Sequence, residues 1–219
     1  KDGSYDVLVP GSGGKDSIFV SHLLKYKYSM NPLTVTWSPH MYTDIGWKNF
    51  QSWIASGFDN ILYTPNSKVH RKLTQLSFKN LLHPFQPFVM GQHSLSMKVA
   101  VEKNIKLIVG GDTYAERAVG GSFQNTKYGD KHKDFLSSND YEDLFFGGVH
   151  IKDLTKYGIS KKDLHFYLPL KRDILEKSKI RNLDIPHFIN YNPQSNYYFA
   201  IENSGFKVNP DGRSEGTYT

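Results

Sequence analysis

The residues with the most chemistry per position stand together in "SGGKDS", Ser12 to Ser17, directly behind the apolar run "VLVP". Gly13 and Gly14 let the backbone approach an anion with no Cβ in the way, and Ser12 and Ser17 add hydroxyl donors. Lys15 supplies a point charge, and Asp16 a hard oxygen ligand that suits magnesium beside phosphates. A strand, a glycine loop and a helix start make an anion site, because unpaired N–H groups and the positive end of the helix dipole converge there. Two familiar phosphate loops are excluded by position. The G-x-x-x-x-G-K-[ST] loop would need glycine at Val9 and Ser or Thr at Asp16. The G-x-G-x-x-G fingerprint fits Gly11 and Gly13 but would need its third glycine at Asp16.

The elements that must position this loop alternate between strand and helix through the first half of the chain. Tyr5 to Pro10 reads as a strand and Asp16 to Tyr26 as a helix. "PLTVTWS" from Pro32 is a fully buried strand, followed by a helix over Trp47 to Ser56 that Gly57 stops. "NILYTP" from Asn60 is a third strand and Lys68 to Leu82 a helix; "PFVMGQHSLSMKVAVEKN" then returns to a fourth strand over Ile105 to Gly111. This order predicts an α/β fold, a Rossmann-like, doubly wound parallel sheet that binds ligands beyond the carboxyl ends of its strands. Residues 1–121 form this nucleotide domain, and 122–150 a polar insertion or loop. Residues 151–219 form a smaller, mostly helical part. In it, Ile151 to Tyr157, Lys161 to Tyr167 and Leu170 to Lys179 read as short helices, and "IPHFINY" as strand-like. A last helix has Asn192 as N-cap, Pro193 in its first turn and Gly205 as its stop.

With the two common loops excluded, "SGGKDS" resembles the pyrophosphate loop of the N-type ATP pyrophosphatases, the group that includes asparagine, NAD and GMP synthetases. Further segments carry a closer resemblance: "NPLTVTWSP", "YTDIGWKNF", "GFDNILYTPNSKVHRKL" and "ENSGFKVNPDGRSEGTY". They are similar to the N-acetyl sugar amidotransferases of bacterial surface-glycan synthesis. The similarity runs from Tyr5 to about Gly121 and again from about Ile151 to Tyr218, and is weakest between Ser122 and Phe146. The resemblance implies an adenine-nucleotide α-hydrolase-like fold and conversion of an acetamido group on a sugar into an acetamidino group, for lipopolysaccharide O-antigen or flagellin glycans. It also implies a cysteine-rich, zinc-binding stretch ahead of the first strand and a continuation past "EGTY". This chain holds neither, so zinc is expected only in a preceding N-terminal segment.

Chemistry gives the implied reaction a route. If the amide oxygen attacks the α-phosphate of ATP, pyrophosphate leaves, and the O-adenylated imidate carries AMP as a leaving group that ammonia displaces. Glutaminases of the common classes need a cysteine nucleophile, and this chain has none. The ammonia is therefore expected from elsewhere. The resemblance implies a separate glutaminase subunit and a barrel-type ammonia-conducting subunit, similar to the halves of imidazole glycerol phosphate synthase.

Site roles follow from this frame. Ser12, Gly13, Gly14, Lys15, Asp16 and Ser17 are expected to hold the ATP phosphates with magnesium, Lys15 and Asp16 as catalytic groups. At the second strand's end, Thr36, Trp37 and Ser38 are placed to meet adenine and ribose, with core packing as the competing reading of Trp37. Thr43, Gly46 and Asn49 match a family-like segment, Thr43 and Asn49 as substrate contacts; a helix cap is the competing reading of Thr43. Across the crevice stand Gly110, Gly111 and Asp112, with Glu116 one turn beyond. Asp112 and Glu116 are candidates to bind magnesium or steer ammonia, although "GGDTYAERAVGG" departs from the "GENGE"-like string of the resemblance. Arg213, Glu215, Thr217 and Tyr218 suit recognition of a sugar or phosphate.

Composition narrows the classes. The chain has 219 residues, 38% of them apolar and 14% aromatic, enough for one substantial core. It has no apolar run long enough to span a membrane and no signal-peptide pattern, so a cytoplasmic protein with no membrane partner is expected. The net charge of +6 is spread out, which favours anionic ligands over a dedicated nucleic-acid arm, and no nucleic-acid partner is expected. His132 with Asp130 and Asp134 has no metal-site spacing. Two rivals remain: a tRNA-modifying ligase of the same superfamily, similar to lysidine synthase, and a nucleotide-binding protein without chemistry.

Overall fold

A computed structural model describes residues 4–111, 141 and 144–210. Its strands are β1 (Val7–Pro10), β2 (Pro32–Trp37), β3 (Asp59–Tyr63), β4 (Leu107–Gly110), a short hairpin of β5 (Phe145–Phe146) and β6 (Val149–His150), and β7 (Arg181–Asp184). The main helices are α1 (Lys15–His22), α2 (Asp44–Ala55), α3 (Ser67–Leu81), α4 (Gln86–Glu102), α5 (Arg172–Ser178) and α6 (Pro193–Ser204). Five strands form a parallel sheet in the order β3-β2-β1-β4-β7. The chain therefore has the Rossmann-like, doubly wound α/β fold. Strand order reverses between β1 and β4, so the crevice at their carboxyl ends is the topological switch point.

Alternation along the strands divides the core. Leu8 of β1 and Leu33, Val35 and Trp37 of β2 pack with Leu73 of α3 and Leu95 of α4 on one face. On the other, Val7 and Val9 meet Val20 of α1, Leu24 and Ile185. A third cluster joins Ile18 of α1, Phe50 and Trp53 of α2, and Ala200 of α6 with Phe206 behind it. Every residue of β2 is buried, as its unbroken apolar and threonine run predicts for a central parallel strand.

The second half departs from the sequence expectation in one respect that matters. The sheet has a fifth strand, and it comes from the part expected to be mainly helical: Arg181–Asp184 pairs in parallel with Leu107–Gly110. The strand-like "IPHFINY" instead opens with a 3-10 turn over Ile185–His187, because Pro186 cannot donate to a ladder. Lys161 to Tyr167 forms turns and Ile151–Tyr157 a 3-10 helix. The last helix has the ends its sequence announces: Asn192 Oδ1 accepts from Gln194 N and Ser195 N, and Gly205 closes it at φ +67°. Among the described residues no helix is long and apolar enough to cross a membrane.

Candidate functional site

The glycine loop is closed on one side and open on the other. Gly11 N donates to Val35 O at 3.0 Å, extending the β1–β2 ladder one residue past β1. A Cβ on Gly11 would lie 2.4 Å from Ser17 Cβ and 2.7 Å from Trp53 Cη2. Gly13 has φ +85°, and a Cβ there would stand 2.6 Å from Phe50 Cα and 2.9 Å from Phe50 N. The loop thus lies directly on the backbone of α2, a fit that only glycine allows. At Gly14, by contrast, a Cβ would meet, among the described residues, only Ser12 Oγ, at 3.7 Å.

That open side is the start of α1. Gly14 O accepts from Ile18 N at 3.1 Å and from Ser17 Oγ at 2.9 Å. Among the described residues no side chain caps the first N–H groups of the helix. They have no intrahelical acceptors, so an unobstructed, uncapped helix start beyond a glycine loop has the donor set of an anion site. Ser17, expected as a phosphate donor, spends its hydroxyl hydrogen on Gly14 O; its oxygen remains an acceptor.

Asp16 is the focus of the site. Lys15 Nζ lies 2.6 Å from Asp16 Oδ2. The other oxygen, Oδ1, accepts from the Tyr191 hydroxyl and from Asn196 Nδ2, the latter at 3.2 Å. Tyr191 lies just before α6 and Asn196 within it. The end of β4 closes against the same turn: a Cβ on Gly111 would be 3.2 Å from Asp16 O and 3.3 Å from Asp16 Cβ. So α1, the start of α6 and the residue after β4 meet around Asp16 at the switch point.

Magnesium would have to take Asp16 by Oδ2, the oxygen that Lys15 also reaches, since Oδ1 accepts from Tyr191 and Asn196. Among the described residues no group of three or more His, Cys, Asp or Glu is placed to cage a metal. One carboxylate beside an open anion cradle matches the way magnesium binds, through one or two carboxylates plus substrate phosphates.

The other expected site residues are distributed differently. Trp37 is 3% exposed, its ring 5.0 Å from that of Tyr63 and 5.2 Å from that of Tyr167. A Cβ on Gly91 of α4 would fall 2.4 Å from it. Its side chain belongs to the core on the face opposite α1, not to the crevice. Thr36 Oγ1 accepts from Asn60 Nδ2 at 3.1 Å, and Ser38 Oγ donates to Pro39 O at 3.2 Å. Thr43 is the N-cap of α2, accepting from Gly46 N at 3.0 Å. Asn49 is buried and engaged at both ends of its amide, Nδ2 to Lys207 O and Oδ1 from Lys207 N, each at 2.8 Å. It clamps the stretch after α6 onto α2. Gly110 ends β4 and pairs with Asp184 of β7. Asp112, Glu116, Arg213, Glu215, Thr217 and Tyr218 lie outside the described residues.

Tyr191 and Asn196 are the residues that sequence reasoning missed. Nothing local marks them. The nearest signal was a helix start, "NPQSN", that had to dock somewhere with an asparagine on its buried face.

Comparison with known proteins adds little to this geometry. No protein-family model matches the chain, and no curated protein does. Among solved structures, one similar chain is described as a "predicted subunit of tRNA methyltransferase", from Methanocaldococcus jannaschii. It shares 14% identity at a TM-score of 0.42, over 90% of this chain and 76% of that one. A likeness at that level has no bearing on function.

Proposed function

We propose that this chain is an ATP-pyrophosphatase-type amidotransferase that adenylates the acetamido oxygen of an N-acetyl sugar and converts the group into an acetamidino group. The supporting observation is the glycine loop at the switch point, open at Gly14 and uncapped at α1 among the described residues, with Asp16 held beside it. The sugar assignment rests on the segments quoted above that resemble the N-acetyl sugar amidotransferases.

In this reading the loop N–H groups and Lys15 hold the β- and γ-phosphates as they become pyrophosphate. The acetamido oxygen forms a bond to the α-phosphorus as the bond from the α-phosphorus to the bridging oxygen breaks, and that oxygen leaves with its electron pair. The amide N–H proton is released to give a neutral imidate. Ammonia then bonds to the imidate carbon, the bond from carbon to the AMP oxygen breaks, and the product is an amidine. Magnesium on Asp16 would neutralise phosphate charge. Charge stabilisation of the leaving group in a fixed site is the principal catalytic effect expected of such a loop. Partner subunits that release and conduct ammonia complete the scheme, because the chain has no cysteine.

A second reading, an RNA-modifying ligase with the same adenylation step, is favoured by one observation. The outward stripe of α3 carries Lys68, Arg71, Lys72 and Lys79, the helix has no acidic residue, and an open groove of about 660 Å³ runs along it past Phe78. A row of cations beside an exposed aromatic ring suits a nucleic-acid backbone.

One assay separates the readings. Pyrophosphate release from Mg-ATP is followed with ammonium salt and a panel of nucleotide-linked N-acetyl sugars, or with tRNA. The proposal expects release that depends on one sugar, a product at the mass of the amidine, and loss of both in Asp16→Ala. Release with tRNA alone would replace it with the second reading. ATP binding with no release in any arm would leave only a nucleotide-binding protein.

A further inference from the structure

We infer that Tyr191 and Asn196 are positioning residues for the magnesium–nucleotide site, through their shared hold on one oxygen of Asp16. The inference rests on the nucleotide reading of the loop and extends it to the C-terminal part of the chain.

The geometry is asymmetric in a way that packing alone does not explain. Both donors, the Tyr191 hydroxyl and Asn196 Nδ2, reach Oδ1, while Oδ2 is left to Lys15. A carboxylate tied at one oxygen by two donors has its plane fixed and presents the other oxygen in a set direction. The side chains of Lys15 and Asp16 keep 28% and 26% of their surface exposed, so the pair is within reach of a ligand, with Lys15 Nζ on the second oxygen at 2.6 Å. Partners that orient a metal-binding carboxylate in this manner commonly control its affinity.

The donors are themselves held. The ring of Tyr191 meets Phe19 edge-on at 6.1 Å, and Phe199 of α6 also meets Phe19 edge-on, at 5.5 Å. Asn196 is 2% exposed on the inner face of α6, with Ala200 one turn on. Alanine or leucine there would fill an interface between two helices without the cost of burying an amide, which is tolerated only when it is hydrogen-bonded. Here the amide donates to the carboxylate of the ligand loop. Beyond α6, the Asn49 clamp on Lys207 fixes the following stretch to α2. The C-terminal part is thereby fastened at both ends of α6 to the two helices that flank the glycine loop.

The test measures binding of α,β-methylene-ATP by calorimetry across a magnesium series in wild type, Tyr191→Phe and Asn196→Ala. Melting temperature is the control for folding. Tyr191→Phe keeps the ring on Phe19 and loses only the hydroxyl, so it remains informative if Asn196→Ala fails to fold. The inference expects Tyr191→Phe to need about tenfold more magnesium for half-maximal nucleotide affinity. Affinity in EDTA should stay within about twofold of wild type, since the loop N–H groups are untouched. Asn196→Ala should shift the magnesium midpoint in the same sense, and the double variant by less than the product of the two, because both act on one oxygen. An unchanged magnesium midpoint in Tyr191→Phe would overturn the inference and leave the contacts as helix packing. Wild type that binds no nucleotide at any magnesium level would overturn the nucleotide reading itself.

Discussion

On the face that carries α1 and α6, the carboxylate of Asp16 collects donors from Lys15, Tyr191 and Asn196 and stays partly open to solvent. On the face that carries α3 and α4, His70 bonds the Tyr167 hydroxyl at 2.9 Å and lies with its ring 4.2 Å from that of His40, with Trp37 against it and 1% of its surface exposed. Both are polar groups tied by long-range contacts, but only one is left presentable to a ligand. The apolar cluster on the α3 and α4 face is far larger than either cluster beside α1. The larger part of the apolar core lies where no chemistry is expected, and on the loop face the two smaller clusters around Val9 and Trp53 are supplemented by directional bonds to Asp16.

Breaking the large cluster should cost the most stability and leave ligand binding alone. Trp37→Ala is expected to destabilise the fold by about 3–5 kcal/mol in chemical denaturation. Its nucleotide affinity, measured below the transition, should match wild type. A selective loss of ATP affinity would instead return Trp37 to the adenine site. On the loop face, Gly13→Ala forces a Cβ onto the backbone of Phe50 at positive φ. An expected loss of about 2–4 kcal/mol, together with weaker nucleotide binding, would show that the loop cannot be moved without moving α2.

Each face also buries a histidine, which sharpens the comparison at acid pH. Desolvation holds His22, beside α2 and α6, and His70 each down to about 4 from the usual 6.5. Between those values the unfolded chain binds protons that the folded chain refuses. Stability is therefore expected to be full above pH 6.5 and to fall as the pH drops toward 4. Melting temperature across that range should slope less steeply in His70→Gln and in His22→Gln than in wild type. The smallest effect is expected at Thr43: loss of the α2 cap in Thr43→Ala should cost about 1 kcal/mol with no change in the KM for sugar. A raised KM at unchanged stability would reinstate Thr43 as a substrate contact.

What the sequence revealed follows from which interactions are local. The loop, the buried run of β2 and the ends of α6 depend on near neighbours, and "SGGKDS", "PLTVTW" and Asn192 with Gly205 announce them. The side on which Trp37 lies was also available, since Leu33, Val35 and Trp37 share one face of a strand and the first two are plainly core. β7 was hidden because "RNLD" has one apolar residue and is held by its neighbour β4. The ties from Tyr191 and Asn196 to Asp16 span 175 and 180 residues, and a single sequence carries no record of such pairings.

The most direct test of the central claim follows the amide oxygen. An N-acetyl sugar labelled with ¹⁸O in its acetamido group is turned over with Mg-ATP and ammonium, and the nucleotide product is weighed by mass spectrometry. Adenylation at that oxygen puts the label into AMP, with unlabelled pyrophosphate. Label in inorganic phosphate beside ADP, or AMP without label, would contradict it.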